Sequence, residues 1–72
     1  MKDQPEILDF IKAMSDADRL RIIGVLAKGS ANVNTVAAQL GIPVRDALKH
    51  LAFLEFVGAV SKPGEAYSLN PS

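Results

Sequence analysis

Seventy-two residues suffice for one small domain with one modest core, and for no more than one. The chain holds no cysteine and a single histidine, His50, which excludes a disulfide, a thiolate and any site of two imidazoles within one chain. Eight Lys and Arg balance eight Asp and Glu, so the net charge is zero and composition lends nothing to nucleic-acid binding, which usually draws on a basic surplus.

The polar start, Met1 to Glu6, lacks the apolar core of a signal peptide. No apolar run nears the roughly 20 residues that span a bilayer. A cytoplasmic protein without a membrane partner is expected. A first helix is predicted from about Pro5 to Met14, capped by Asp3 or Gln4, with Ile7, Leu8, Ile11 and Met14 on one face. Ser15 or Asp16 caps a second helix over about Ala17 to Lys28. Its inner face is expected to hold Leu20, Ile23, Leu26 and Ala27, widened by Ile22 and Val25, and Gly29 stops it. Gly24, costly inside a helix, is expected to admit a close neighbour.

Ala31-Asn32-Val33 reads as a very short strand, after which Asn34 or Thr35 opens a short third helix ending at Gly41. Its buried positions are expected to be Val36, Ala37 and Leu40. Ile42-Pro43 makes a turn into a fourth helix, about Val44 to Val57, with Ala47, Leu51 and Leu54 inward and Gly58 at its end. Ala59 to Lys62 and Ala66 to Leu69 alternate apolar and polar around Pro63-Gly64, which reads as a β-hairpin. The predicted fold is mainly α with a small hairpin: a bundle of three to four helices, a helix-turn-helix within it, and a wing.

Several segments then resemble one family. Met14-Ser15-Asp16-Ala17-Asp18-Arg19-Leu20-Arg21-Ile22-Ile23 resembles the LSDPTRLRIL signature of the ArsR-like winged helix repressors. Val36 to Ile42 is similar to their ELAEALGL segment, Ala47 to Leu54 to VSRHLKVL, and Gly58-Ala59-Val60 to the GLV before the wing. Tyr67-Ser68-Leu69 is similar to the second wing strand. The resemblance spans about Ile7 to Leu69 without gaps and implies a DNA-binding transcriptional regulator. Metal-sensing members carry cysteines where this chain has Ala31 to Thr35, so no metal or other cofactor is expected. The family's dimer-building C-terminal helix does not follow the wing here. Residues 1–72 are therefore expected to be one winged helix-turn-helix domain, either alone or as the N-terminal module of a longer protein.

An α-helix fits the major groove, and its N-terminal side chains reach base edges. With Ala47, Leu51 and Leu54 inward, Arg45, Leu48, Lys49, Ala52 and Phe56 turn outward at 100° per residue. The expected recognition helix, about 44–57, offers Val44, Arg45, Asp46 and Lys49 to double-stranded DNA. Arg45 suits guanine O6 and N7, and Lys49 the groove or a phosphate. Asp46 either accepts from cytosine N4 or simply favours its helix dipole. Asn34 and Thr35 offer side chains or backbone donors to a phosphate. Lys62, on a wing of about 59–69, is either a phosphate contact or a solubilising charge. Arg19 and Arg21 are expected in ion pairs with Asp16, Asp18 or Glu55, His50 in partial packing, and Tyr67 against the core.

Leu48 and Phe56 are out of place on a wet face. Thymine methyls, cover by a partner protein, second copy or further domain, and an imprecise helical wheel are the three explanations. Two functions follow: the DNA-binding domain of a transcriptional regulator, or a winged helix used for protein contact or dimerisation with little DNA affinity. Nothing in the sequence assembles a catalytic set, and carboxylate pairs such as Asp16 with Asp18 have cap or surface explanations. The protein is expected not to be an enzyme.

Overall fold

In the computed structural model, residues 7–71 are described, with all their side chains but those of Phe10 and Ala13. Four helices precede a two-stranded sheet: α1 (Ile7–Ser15), α2 (Ala17–Ala27), α3 (Val33–Leu40), α4 (Val44–Phe56), β1 (Val60–Ser61) and β2 (Ser68–Leu69). The expected start of the first helix at Pro5 and its caps at Asp3 or Gln4 lie outside the described residues.

Each helix boundary has a local cause. Ser15 Oγ donates back to the Ile11 carbonyl at 2.8 Å as α1 ends. Asp16 then caps α2, its Oδ1 accepting from the amides of Asp18 at 2.9 Å and Arg19 at 3.2 Å. Asn32, rather than Asn34 or Thr35, caps α3, accepting from the Thr35 amide at 2.9 Å. The strand expected at residues 31–33 shrinks accordingly. Only Ala31 pairs, in an isolated bridge with Tyr67, and Val33 already belongs to α3. Gly41 closes α3 at φ 71°, a left-handed conformation that a side chain resists, and its amide reaches back to the Ala37 carbonyl at 2.8 Å. Gly58 ends α4 in the same way at φ 84°.

The core gathers Ile22 and Leu26 from α2, Val36, Ala37 and Leu40 from α3, and Ala47, Leu51 and Leu54 from α4. Val57, Val60 and Tyr67 complete it. No polar or charged side chain is buried among the described residues. The inward faces of α3 and α4 match the sequence pattern. That of α2 does not: Ile22 is fully buried, whereas Leu20 is 50% exposed and Ala27 is exposed. The helix is rotated because α3 and α4 pack on the side that carries Ile22 and Leu26. Gly24 faces no close neighbour, so the expected tight approach there is absent. The apolar face of α1 is largely uncovered, with Ile7 76%, Leu8 65% and Ile11 54% exposed, while Met14 packs at the core's edge.

The wing is antiparallel, with Val60 opposite Leu69 and Ser61 opposite Ser68. Its strands are two residues each, shorter than the alternation of 59–62 and 66–69 implied. Asn70 pins the base, its amide donating to the Ala59 carbonyl at 3.0 Å and its Nδ2 to the Gly58 carbonyl at 2.9 Å.

Candidate nucleic-acid interface

Helix α3, the bend at Gly41-Ile42-Pro43 and helix α4 form the helix-turn-helix. Pro43 enters α4 in extended geometry and its carbonyl accepts from Asp46 and Ala47 at 3.0 and 3.1 Å, so α4 starts without a side-chain cap. Arg21, on α2, braces the preceding corner by donating from Nη2 to the Leu40 carbonyl at 3.1 Å. That bond satisfies one of the carbonyls left over at the end of α3.

With Ala47, Leu51 and Leu54 fully buried, the opposite face of α4 is turned to solvent. Val44, Arg45, Asp46, Leu48, Lys49, Ala52 and Phe56 are all exposed. Arg45 and Lys49 have no ion pair among the described residues. Asn34 and Thr35 are exposed in the first turn of α3, but the Thr35 amide is already used by the Asn32 cap. Thr35 therefore offers its hydroxyl and not that backbone donor. Lys62 belongs to a different element, the wing loop, where its Nζ stands 5.6 Å from the centroid of the Tyr67 ring. Leu48 at 44% and Phe56 at 51% exposure rule out an error of helical phase as the reason they looked apolar and wet. Phe56 stacks on Phe53 with centroids 6.3 Å apart.

Neither a protein-family model nor the sequence of a curated protein matches the chain. Solved structures do. HlyU from Vibrio cholerae matches with a TM-score of 0.79 and 26% identity, over 92% of this chain and 76% of that one. The crystal structure of an ArsR family transcriptional regulator matches with a TM-score of 0.76 and 25% identity, over 90% of this chain and 76% of that one. The fold is that of the ArsR-like winged helix-turn-helix proteins.

The ArsR-like domain also brings together residues that the sequence reading kept apart. Arg21 forms the expected ion pair with Asp18 at 3.2 Å, both ends being substantially exposed. Arg19, whose charge acts on the neighbouring Asp16, also reaches other helices. Its guanidinium lies over the Phe53 ring at 4.7 Å, Nη2 donates to the Lys12 carbonyl at 3.1 Å, and Nη1 donates to His50 Nδ1 at 3.4 Å. One side chain of α2 thus touches both α1 and α4. On the other side of the imidazole, His50 Nε2 faces Asp18 Oδ2 at 4.0 Å. Asp16, Asp18 and His50 place one ligand-type atom each within 4.8 Å of one another, all three side chains being half-buried. The Asp16 carboxyl is held below the usual aspartate range. The Arg19 amide hydrogen bond contributes most, partial desolvation opposes it, and the Asp18 amide and the charges of Arg19 and His50 add to the lowering. Beside this cluster, Arg19, Asp46, Lys49 and His50 line an open hollow of about 260 Å³. A sequence hint existed: His50 lies next in line to the inward Ala47 and Leu51, so it had to face a neighbouring helix. That the neighbour is the start of α2 required the fold.

Proposed function

We propose that this ArsR-like domain is the DNA-binding part of a transcriptional regulator, with α4 in the major groove and the wing along the backbone. The observation that carries this is the two-sidedness of α4. One face is sealed in the core, and the other projects Arg45 and Lys49, which have no ion pair among the described residues, directly after a helix-turn-helix bend. Val44, Arg45, Asp46 and Lys49 read bases or approach them, while Asn34, Thr35 and Lys62 lie on phosphates. The likeness to an ArsR family transcriptional regulator supports this reading, and regulation by repression in the cytoplasm accords with it. Among the described residues no helix is long and apolar enough to cross a membrane. The same likeness speaks against an enzyme.

Affinity is limited by charge. The chain is neutral, and along α4 Arg45 and Lys49 are offset by Asp46 and Glu55. With about two to four phosphate contacts per copy, a lone domain binds at micromolar strength or weaker at physiological salt. A dimer doubles the contacts, and the uncovered face of α1 (Ile7, Leu8 and Ile11) is the surface we assign to a second copy. Fluorescence anisotropy with duplex DNA at low salt, joined to amide-shift mapping, tests the reading. Shifts centred on Arg45, Lys49 and Lys62 are expected; a self-associated form that retains no duplex from a random pool removes it. A second reading rests on Leu48 and Phe56, whose exposure suits a protein partner on the outer side of α4. Shifts confined to those two residues, with protein and never with DNA, favour it.

A further inference from the structure

The cluster between the start of α2 and the middle of α4 has a composition that its structural duties do not use up. Asp16 spends Oδ1 on the two amides of the cap. Asp18 spends Oδ1 on Arg21. Each carboxylate keeps a second oxygen, and Asp18 Oδ2 faces the Nε2 edge of an imidazole brought in from a helix 32 positions later in the chain. The 4.0 Å gap between them is too long for a hydrogen bond. Two donors that share a tetrahedral ion at about 2.0–2.2 Å each stand about 3.4 Å apart, so a closure of roughly half an ångström lets this pair share one.

We propose that Asp16, Asp18 and His50 form a site for a borderline first-row dication of the Zn²⁺ type. One imidazole nitrogen and two carboxylate oxygens are a donor set that Zn²⁺ accepts, with water completing the shell. Two carboxylates neutralise its charge. Mg²⁺ and Ca²⁺ prefer oxygen alone and gain little from His50. The atoms now lie within 4.8 Å of one another, so the side chains draw in by up to about 1.4 Å to reach tetrahedral spacing, which half-buried side chains manage by rotation. The site lies away from residues 31–35, where the family resemblance puts sensor cysteines.

Arg19 sets the strength of the site. A metal on Nε2 leaves the proton on Nδ1, where a metal-bound imidazole wants an acceptor. Arg19 Nη1 is a donor and stands 3.4 Å from that atom. Binding therefore turns Nη1 away from His50, loosening a side chain that reaches from α2 to both α1 and α4. Arg21, paired with Asp18, and Lys49, on the hollow beside His50, add further opposing charge. The site is weak by design of its surroundings and responds to changes at Arg19.

Titration of the whole 72-residue chain with Zn²⁺ at neutral pH, by calorimetry and by the ¹⁵N resonances of the His50 ring, tests the site. One saturable event is expected, with the Nε2 resonance moving most. His50→Gln and Asp18→Asn should each weaken it about tenfold or more, and Arg19→Gln should tighten it several-fold. Mg²⁺ should compete poorly. The proposal fails if the wild-type ring resonances do not move up to about 1 mM Zn²⁺, which bounds any affinity to weaker than about −4.1 kcal/mol. It fails equally if folded Asp18→Asn binds as tightly as wild type, which would leave a lone surface histidine as the ligand, or if Mg²⁺ binds as well as Zn²⁺.

Discussion

Ala31 and Tyr67 exchange both backbone hydrogen bonds, Ala31 N donating to the Tyr67 carbonyl at 3.1 Å and Tyr67 N to the Ala31 carbonyl at 2.8 Å. The loop before α3 thereby becomes a third, one-residue edge of the wing, and a contact between Ser30 and Ser68 hydroxyls lies beside it. Tyr67 is itself 6% exposed and belongs to the core. Tyr67→Ala should therefore do more than shorten a surface flap. It should cost about 3 kcal/mol, in line with loss of other large buried rings. Urea denaturation measures this, and a change under about 1 kcal/mol would show that the wing is not coupled to the helices.

Asn32 carries the cap of the helix that opens the helix-turn-helix. Asn32→Ala should destabilise the domain by about 1 kcal/mol, while Asn32→Asp, which keeps the acceptor, should be nearly neutral. Thermal melts of the two variants side by side check the assignment of the cap to residue 32.

Asp16 makes stability depend on acid pH. Its folded pKa lies below the unfolded value, with the Arg19 amide as the main cause, so the ionised cap stabilises the fold. The contribution is complete above the unfolded value of about 3.9 and is lost as pH falls through the lower folded value. Wild type should melt above Asp16→Ala at neutral pH, and the two curves should converge as the solution is taken below about pH 4. A gap that persists unchanged into strong acid would contradict the cap's charge dependence.

On the outer side of α4, Arg45 and Lys49 should separate by kind. If Arg45 reads a base, Arg45→Ala costs about 1–3 kcal/mol on the preferred duplex and much less on others. If Lys49 sits on a phosphate, Lys49→Ala weakens every duplex alike and lowers the salt slope by about 0.9. Anisotropy at several salt concentrations distinguishes the two effects.

The face of α1 yields a solution test. Because Ile7, Leu8 and Ile11 are mostly in water, Leu8→Ser with Ile11→Ser should change monomer stability by about 0.5 kcal/mol or less each. Self-association measured by sedimentation should fall sharply in the same variant. Undiminished association would place the second copy elsewhere.

Much of this protein was written locally. The spacing of Val36, Ala37 and Leu40 and of Ala47, Leu51 and Leu54 defines the buried faces of α3 and α4, and Gly41 and Gly58 end those helices for reasons of backbone sterics. Those signals act within a turn or two, so periodicity and punctuation reveal them. What local pattern left open was decided between elements. In α2, apolar residues at 20, 22, 23, 25 and 26 surround most of the helix, and only the positions of α3 and α4 select Ile22 and Leu26 over Leu20. Asn32 becomes a cap instead of a strand residue because Ala31 alone finds a backbone partner, 36 positions away at Tyr67. The meeting of Arg19, Asp18 and His50 is of the same kind. It joins residues far apart in sequence by packing two helices, and no repeat along a single chain segment encodes such a contact.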